Sequence, residues 1–100
     1  MQINTTIVHR RAILSLQGRF DFSANHLFKK CYEALLLQPI AELEVDLNAV
    51  QYLDSSALGM LLLLKERADL MGKTITLSNC RGDVKHVLEI ANFVKLFNMR

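Results

Sequence analysis

Asp54, Ser55 and Ser56 are three consecutive residues with short oxygen-bearing side chains, and the apolar run Ala57-Leu58-Gly59-Met60-Leu61-Leu62-Leu63-Leu64 follows them at once. All three are good N-cap types, able to accept from the unpaired N–H groups of a first helical turn. A hydroxyl at this spot has a second chemistry. A phosphate on Ser55 would stand where those N–H groups and the helix dipole favour negative charge, so the helix would survive while its surface gained roughly two negative charges. The triplet fits both an ordinary cap and a modifiable serine. At about 100° per residue, Ala57, Met60, Leu61, Leu64, Ala68 and Met71 share one helix face, and Ser55, Leu58, Gly59, Leu62, Glu66 and Asp69 fall on or near the opposite one. Leucines 58 and 62, left exposed beside a modifiable serine, would make a docking patch with a charge switch at its edge. Under the plainer reading, a neighbouring loop or helix covers both.

Other chemistries find less support. A nucleophilic serine needs a partnered base, and Ser55 lacks both the G-x-S-x-G elbow and a histidine placed beside it. Asp46 and Asp54 could suggest a metal-assisted phosphate acceptor, but a receiver-type domain would place an acidic pair after its first strand and a lysine after its last. Neither is present. There is no Walker A or dinucleotide glycine motif. His9, His26 and His86 form no ligand pair with Cys31 or Cys80, so no zinc site is expected, and the two cysteines read as reduced buried thiols. The expectation is a protein that is not an enzyme and uses neither cofactor nor metal.

Composition narrows the class further. The chain has 100 residues, enough for one domain spanning 1–100 with a real core. With 51% hydrophobic and 22% charged residues it is not a disordered sequence. The net charge of +2 comes from scattered residues, which is no nucleic-acid footprint. No apolar run approaches the roughly 20 residues of a membrane span. Met1 to Thr6 has neither a basic nor an apolar leader region, so no signal peptide is expected and the cytoplasm is the expected compartment.

The elements that must position these residues follow from periodicity. Ile3–His9 reads as a strand, His9-Arg10-Arg11 as a turn, and Ala12–Gln17 as a second strand, together an antiparallel hairpin. Gly18 to Phe22 turns the chain. Ser23 is placed to cap a helix from about Ala24 to Leu37, with Leu27, Phe28, Cys31, Ala34 and Leu35 as its apolar stripe, closed by Pro39. Glu42–Leu47 alternates cleanly, with Leu43, Val45 and Leu47 on one side and Glu42, Glu44 and Asp46 on the other. Asn48–Leu53 reads as a loop into the Asp-Ser-Ser helix, which Gly72 stops. Thr74–Ser78 is a further strand, Asp83 is placed to cap a helix over Val84–Ala91, Asn92 breaks it, and Leu96–Met99 reads as an edge strand. Phe93 and Val94 are expected in the core, as are Met60 and Met71.

The order β-β-α-β-α-β-α-β predicts an α/β domain: an antiparallel hairpin leading into a mostly parallel mixed sheet of about five strands with three main helices. Strands covered on both faces would be apolar throughout, whereas these are half polar. The helices are therefore expected chiefly on one face. Glu42, Glu44 and Thr76 should then be accessible, and Val45, Ile75 and Leu77 buried.

Four stretches carry a family resemblance. Gly18-Arg19-Phe20-Asp21 resembles a Gly-x-x-Asp after a second strand. Val45-Asp46-Leu47 and the Val84-Lys85 to Phe93 region fit the same pattern. Asp54-Ser55-Ser56-Ala57-Leu58-Gly59 resembles D-S-S-G-L-G, a specific signature when it follows a strand and opens a helix. Over nearly its whole length the chain resembles a STAS domain (sulfate transporter and anti-sigma factor antagonist), most of all the free-standing bacterial anti-anti-sigma factors. The resemblance implies the STAS fold and an anti-sigma factor as partner. The unphosphorylated form would bind that anti-sigma factor and release its sigma factor. A serine kinase would phosphorylate Ser55 and a PP2C-type phosphatase would reverse it, with Ser56 supporting the site and Asp21 and Asp54 flanking it. Leu58, Gly59 and Leu62 would meet the partner.

Asp21 has a plainer reading as the cap of the first helix. Two departures from the family stand out. Ala57 replaces a glycine, which is mild because alanine is the better helix former. The chain also stops soon after its last predicted strand, whereas many relatives carry another C-terminal helix. An alternative within the family is a cytoplasmic STAS subunit of an ABC-type lipid transporter, which the intact Asp-Ser-Ser motif disfavours. A nucleotide-hydrolysing enzyme is disfavoured by the missing phosphate loop.

Overall fold

Alternating strands with one apolar side need a cover on that side only, and the chain supplies it from three helices. The computed structural model describes residues 1–100. In chain order the elements are β1 (Gln2–Val8), β2 (Arg11–Phe20), α1 (Asn25–Leu36), β3 (Glu42–Leu53), α2 (Ser55–Leu70), β4 (Thr74–Ser78), α3 (Gly82–Ile90) and β5 (Asn98–Met99), with single 3₁₀ turns at Phe22–Ala24 and Phe93–Lys95. The strands form one sheet in the order β1-β2-β3-β4-β5. β1 and β2 are antiparallel, and every later pair is parallel. This is the hairpin-led mixed sheet that the sequence predicts. No helix is long and apolar enough to cross a membrane.

The three crossovers, β2-α1-β3, β3-α2-β4 and β4-α3-β5, all step the same way across the sheet. Right-handed crossovers in one direction leave their helices on one face. Consistent with this, Leu14, Leu43, Val45 and Leu77 from the strands share a single apolar cluster with Phe28 of α1, Leu61 of α2 and Leu88 of α3. Met60 is in that core, whereas Met71, expected there, lies past the end of α2 and is exposed. Phe93 is buried and Val94 exposed.

The other face departs from expectation. Val45, Ile75 and Leu77 are buried as predicted, but so are Glu44 and Thr76. No helix covers them; arginines do. Glu44 accepts from Arg11 Nη1 at 3.0 Å, from Arg100 Nη1 at 2.8 Å and from the Ser78 hydroxyl at 2.7 Å. Glu42, only partly exposed, accepts from the Thr76 hydroxyl and pairs with Arg11 Nε at 3.3 Å and Arg100 Nη2 at 3.4 Å. The long arginine stems lie over the polar face and take it out of water, as such amphipathic side chains do.

Boundaries differ for identifiable reasons. Asn48–Leu53 is the second half of β3 rather than a loop, and Gly18–Phe20 continues β2 rather than turning the chain. Two register shifts in the β2–β3 ladder, at Ser15/Gln17 and Gly18/Arg19, break the alternation that would mark these residues as strand. Gly18 takes φ +104° at the second shift, a backbone state that disfavours any side chain. Ser23 does not cap α1; Asp21 caps the 3₁₀ turn before it. Asp83 lies in the first turn of α3 rather than capping it. Asn92 breaks α3 as expected, with φ +61°, and Gly72, with φ +70°, follows α2.

Replacing Glu44 with alanine should cost about 1.5–3 kcal/mol in urea denaturation, the range for a hydrogen bond to a charged group, because it leaves the Ser78 hydroxyl and both arginines without this acceptor. The same change at the more exposed Glu42 should cost less.

Candidate functional site

The carboxyl ends of neighbouring parallel strands are where open α/β sheets most often bind ligands. Here β2 and β3 end level. Phe20 pairs with Leu53, and the Asp54 N–H donates to the Phe20 carbonyl at 3.4 Å. Asp21 and Asp54 therefore each follow the last residue of one of two adjacent strands. The sequence motifs Gly18–Asp21 and Asp54–Gly59, far apart along the chain, meet at this edge.

Asp54 settles which of three N-cap types caps α2. Its backbone is extended and its Oδ1 accepts from the Ala57 N–H at 3.0 Å. Ser55 and Ser56 thus become the first two residues of the helix. Ser55 is exposed, and Ser56 and Asp54 are half-buried. A hydroxyl on the first helical residue stands beside N–H groups that the helix itself leaves unpaired.

Asp21 is held in a different way. Its Oδ1 accepts from the Ser23 hydroxyl and from the Ser23 N–H at 3.0 Å, and its Oδ2 faces Arg19 Nε at 3.6 Å. The Ser23 hydroxyl is the main reason its carboxyl lies below the ordinary aspartate value. Partial desolvation opposes that shift, and the Ser23 N–H and the Arg19 charge reinforce it. Arg19 in turn lies over the Tyr52 ring, 4.0 Å from its centroid, within the range of cation–π attraction.

The outward side of α2 is more apolar than helical angles alone suggest. Leu62 is 42% exposed and Leu63, which sequence reasoning passed over, is 54% exposed. Leu58 is half-buried and packs against the core, so of the two leucines expected on the surface only Leu62 is fully on it. Gly59, one turn beyond Ser55, would have nothing within 4 Å of an added Cβ. Phe22, next to Asp21, is 70% exposed and was also missed. The available signal was an aromatic residue directly beside a motif residue.

A family model for the STAS domain matches residues 2–100. A STAS-domain containing protein of Pseudomonas aeruginosa is 45% identical over 86 residues, covering 86% of this chain and 84% of that one. Among solved structures, a candidate anti-sigma factor antagonist from Thermotoga maritima superposes with a TM-score of 0.88 at 22% identity, covering 97% of this chain and 84% of that one. The unphosphorylated form of the anti-sigma factor antagonist SpoIIAA superposes with a TM-score of 0.76 at 16% identity, covering 99% and 87%. These neighbours share the fold.

Two measurements test this geometry. A native carboxyl below its ordinary pKa binds fewer protons than the unfolded chain. Its contribution to stability is therefore present above the ordinary value and is lost as pH falls through the native one. In an NMR titration Asp21 should have a depressed midpoint, and Ser23→Ala should raise it back toward the ordinary aspartate value. Separately, Gly59→Ala should raise stability by about 0.5–1 kcal/mol in urea denaturation, because an interior helix glycine costs that much relative to alanine and nothing in the fold requires one here.

Proposed function

The chain belongs to the STAS domain family, and we propose that within it this protein is an anti-sigma factor antagonist switched by phosphorylation of Ser55. In its unphosphorylated form it binds an anti-sigma factor in the cytoplasm and so releases that factor's sigma factor. A serine kinase turns it off and a PP2C-type phosphatase turns it back on. The observation that carries this reading is the division of labour at the start of α2: Asp54 makes the cap, leaving the adjacent Ser55 exposed. Support also comes from solved relatives described as anti-sigma factor antagonists, one of them, SpoIIAA, in both unphosphorylated and phosphorylated forms. Asp21 and Ser56 frame the acceptor, and Leu62, Gly59 and the exposed edge of Leu58 form the partner surface, with Leu63 extending it.

The switch works through the surface rather than the fold. A phosphate on Ser55 adds roughly −1.5 to −2 charges at neutral pH. Docking an apolar partner there would force a strongly hydrated group out of water, a cost of several kcal/mol. About 3–4 kcal/mol weakens binding by two to three orders of magnitude. The helix is spared, because the phosphate sits at the end where negative charge is favourable.

Affinity capture with Ser55→Ala and Ser55→Asp baits side by side should recover an anti-sigma factor with the first and not with the second. Phosphate mapping after co-expression with the kinase should find Ser55, and modification confined to Ser56 would refute the assignment. The phosphorylated protein should keep its circular-dichroism spectrum and melt no lower than the unmodified form. Leu62→Ala should weaken partner binding with little loss of stability, whereas the core change Leu61→Ala should cost about 2–5 kcal/mol. Equal partner binding by Leu62→Ala and wild type would reject the docking surface.

A further inference from the structure

A sheet edge exposes a row of unpaired N–H and C=O groups, and proteins usually blunt such edges with charges, proline, bulges or a covering element. The two edges of this sheet are unlike. β5 is two residues long, while β1 runs for seven. None of Gln2 to Val8 is charged and none is proline. The β1–β2 register is unbroken through seven pairs, so there is no bulge. Apart from half-buried Ile3, every residue of β1 is exposed, including Ile7 at 47% and Val8 at 50%. Pairs along an antiparallel ladder alternate between bonded and unbonded, so every second residue of β1 directs its backbone groups at the free edge.

We propose that β1 is a dimerisation edge, pairing antiparallel with β1 of a second copy about a two-fold axis at Thr5 and extending the sheet across both chains. The strand is close to a palindrome about that residue. In this register Gln2 faces Val8, Ile3 faces Ile7, Asn4 faces Thr6 and Thr5 faces itself. The pairs are β-branched or uncharged polar residues, which suit cross-strand contact. An isologous interface needs such a self-complementary surface.

The area on either side of the edge fits the same occupant. Strand pairing alone buries little against the ~1,000 Å² a specific interface needs, so neighbouring apolar surface has to join. Ile3, Thr5 and Ile7 lie on the core side of the sheet, opposite Leu16, Leu14 and Ala12. There a shallow, mainly apolar groove runs between Thr5 and α1, lined also by Leu27, Cys31 and Ala34, with Leu27 41% exposed. The two-fold axis would bring the grooves of both copies together. Lys30 lines the same groove, so two like charges flank the axis, and screening them with salt should strengthen the dimer. An acidic partner strand on this edge would respond to salt in the opposite sense.

The test is sedimentation velocity of the full chain from about 1 µM to about 1 mM, at low and high salt. A monomer–dimer equilibrium that tightens with salt is expected. Thr5→Lys, which sets two further charges face to face on the axis, should weaken it at least about tenfold. In a Cys31→Ser, Cys80→Ser background, Thr5→Cys should form a disulfide-linked dimer on mild oxidation, and Ile3→Cys alone should not. A monomer across the whole range, a dimer indifferent to Thr5→Lys, or equal cross-linking through Ile3→Cys would overturn the proposal. Because Ser55 lies outside this edge, Ser55→Asp should leave the dimer unchanged, which separates this outcome from that of the phosphoswitch.

Discussion

The parallel pairing of β2 with β3 is the constraint on which the rest of the site depends. It is the longest ladder in the sheet, and it ends with Phe20 against Leu53 and the Asp54 N–H on the Phe20 carbonyl. That last link decides where the chain leaves the sheet. Asp54, still extended, leads directly into α2 and presents its carboxylate to the N–H of Ala57. On the neighbouring strand Asp21 leaves β2 at the same level and folds back on Ser23. Two short motifs more than thirty residues apart in the sequence become one edge because the strands before them end together. Gly18 contributes by absorbing the register shift that brings the two strand ends level.

The two faces of the sheet solve the burial problem in different ways. On one face the helices bury the alternating leucines and valines, and area alone accounts for the gain. On the other, Glu42, Glu44, Thr76 and Ser78 would be costly to bury if unpaired, yet no buried side-chain nitrogen or oxygen lacks a partner. Arg11 from one edge of the central strands and Arg100 from the far end of the chain converge on the two glutamates. The network therefore joins β2, β3 and β4 to the residue after β5. It works as a polar clasp across the sheet where a third layer of helices would otherwise be needed.

This explains which features were legible in the sequence. Strict alternation in Glu42–Leu47 and Thr74–Ser78 announced the strands and the face the helices cover, whereas of the stripe expected on α1 only Phe28 and Leu35 are buried; Leu27 and Ala34 are exposed, Cys31 is half-buried, and Tyr32 and Leu36 are buried instead. What escaped was set by tertiary context. The buried side of β3 passes from Leu47 to Val50 to Leu53, a spacing of three that reads as loop until the bulges in its pairing are seen. Glu44 and Thr76 look solvent-facing because charge and hydroxyl predict exposure, and only the distant Arg11 and Arg100 make their burial tolerable. Asp54, Ser55 and Ser56 are equally good cap types, so the sequence could locate the helix start but not name the cap. Leu58, expected on the surface, is half-buried, and Leu63, which the face analysis left unassigned, is exposed, because helical angle measures direction and not what the neighbouring elements cover.

The identity of the cap bears on how any switch at this edge must operate. Were Ser55 itself the cap, esterifying its hydroxyl would alter the bond that fixes the helix start, and modification would be coupled to folding. With Asp54 as the cap, through a carboxylate that accepts from Ala57, the helix start is secured one residue earlier. Ser55 can then gain or lose a doubly charged group next to N–H groups that already favour it. A charge change there, costing a docking partner several kcal/mol, would in this way be kept apart from a fold whose total stability is only about 5–15 kcal/mol. Gly59, one turn on and with open space at its missing side chain, fits the same division. At the expense of a little helix stability, it would let another chain's backbone come close to a phosphorylated Ser55.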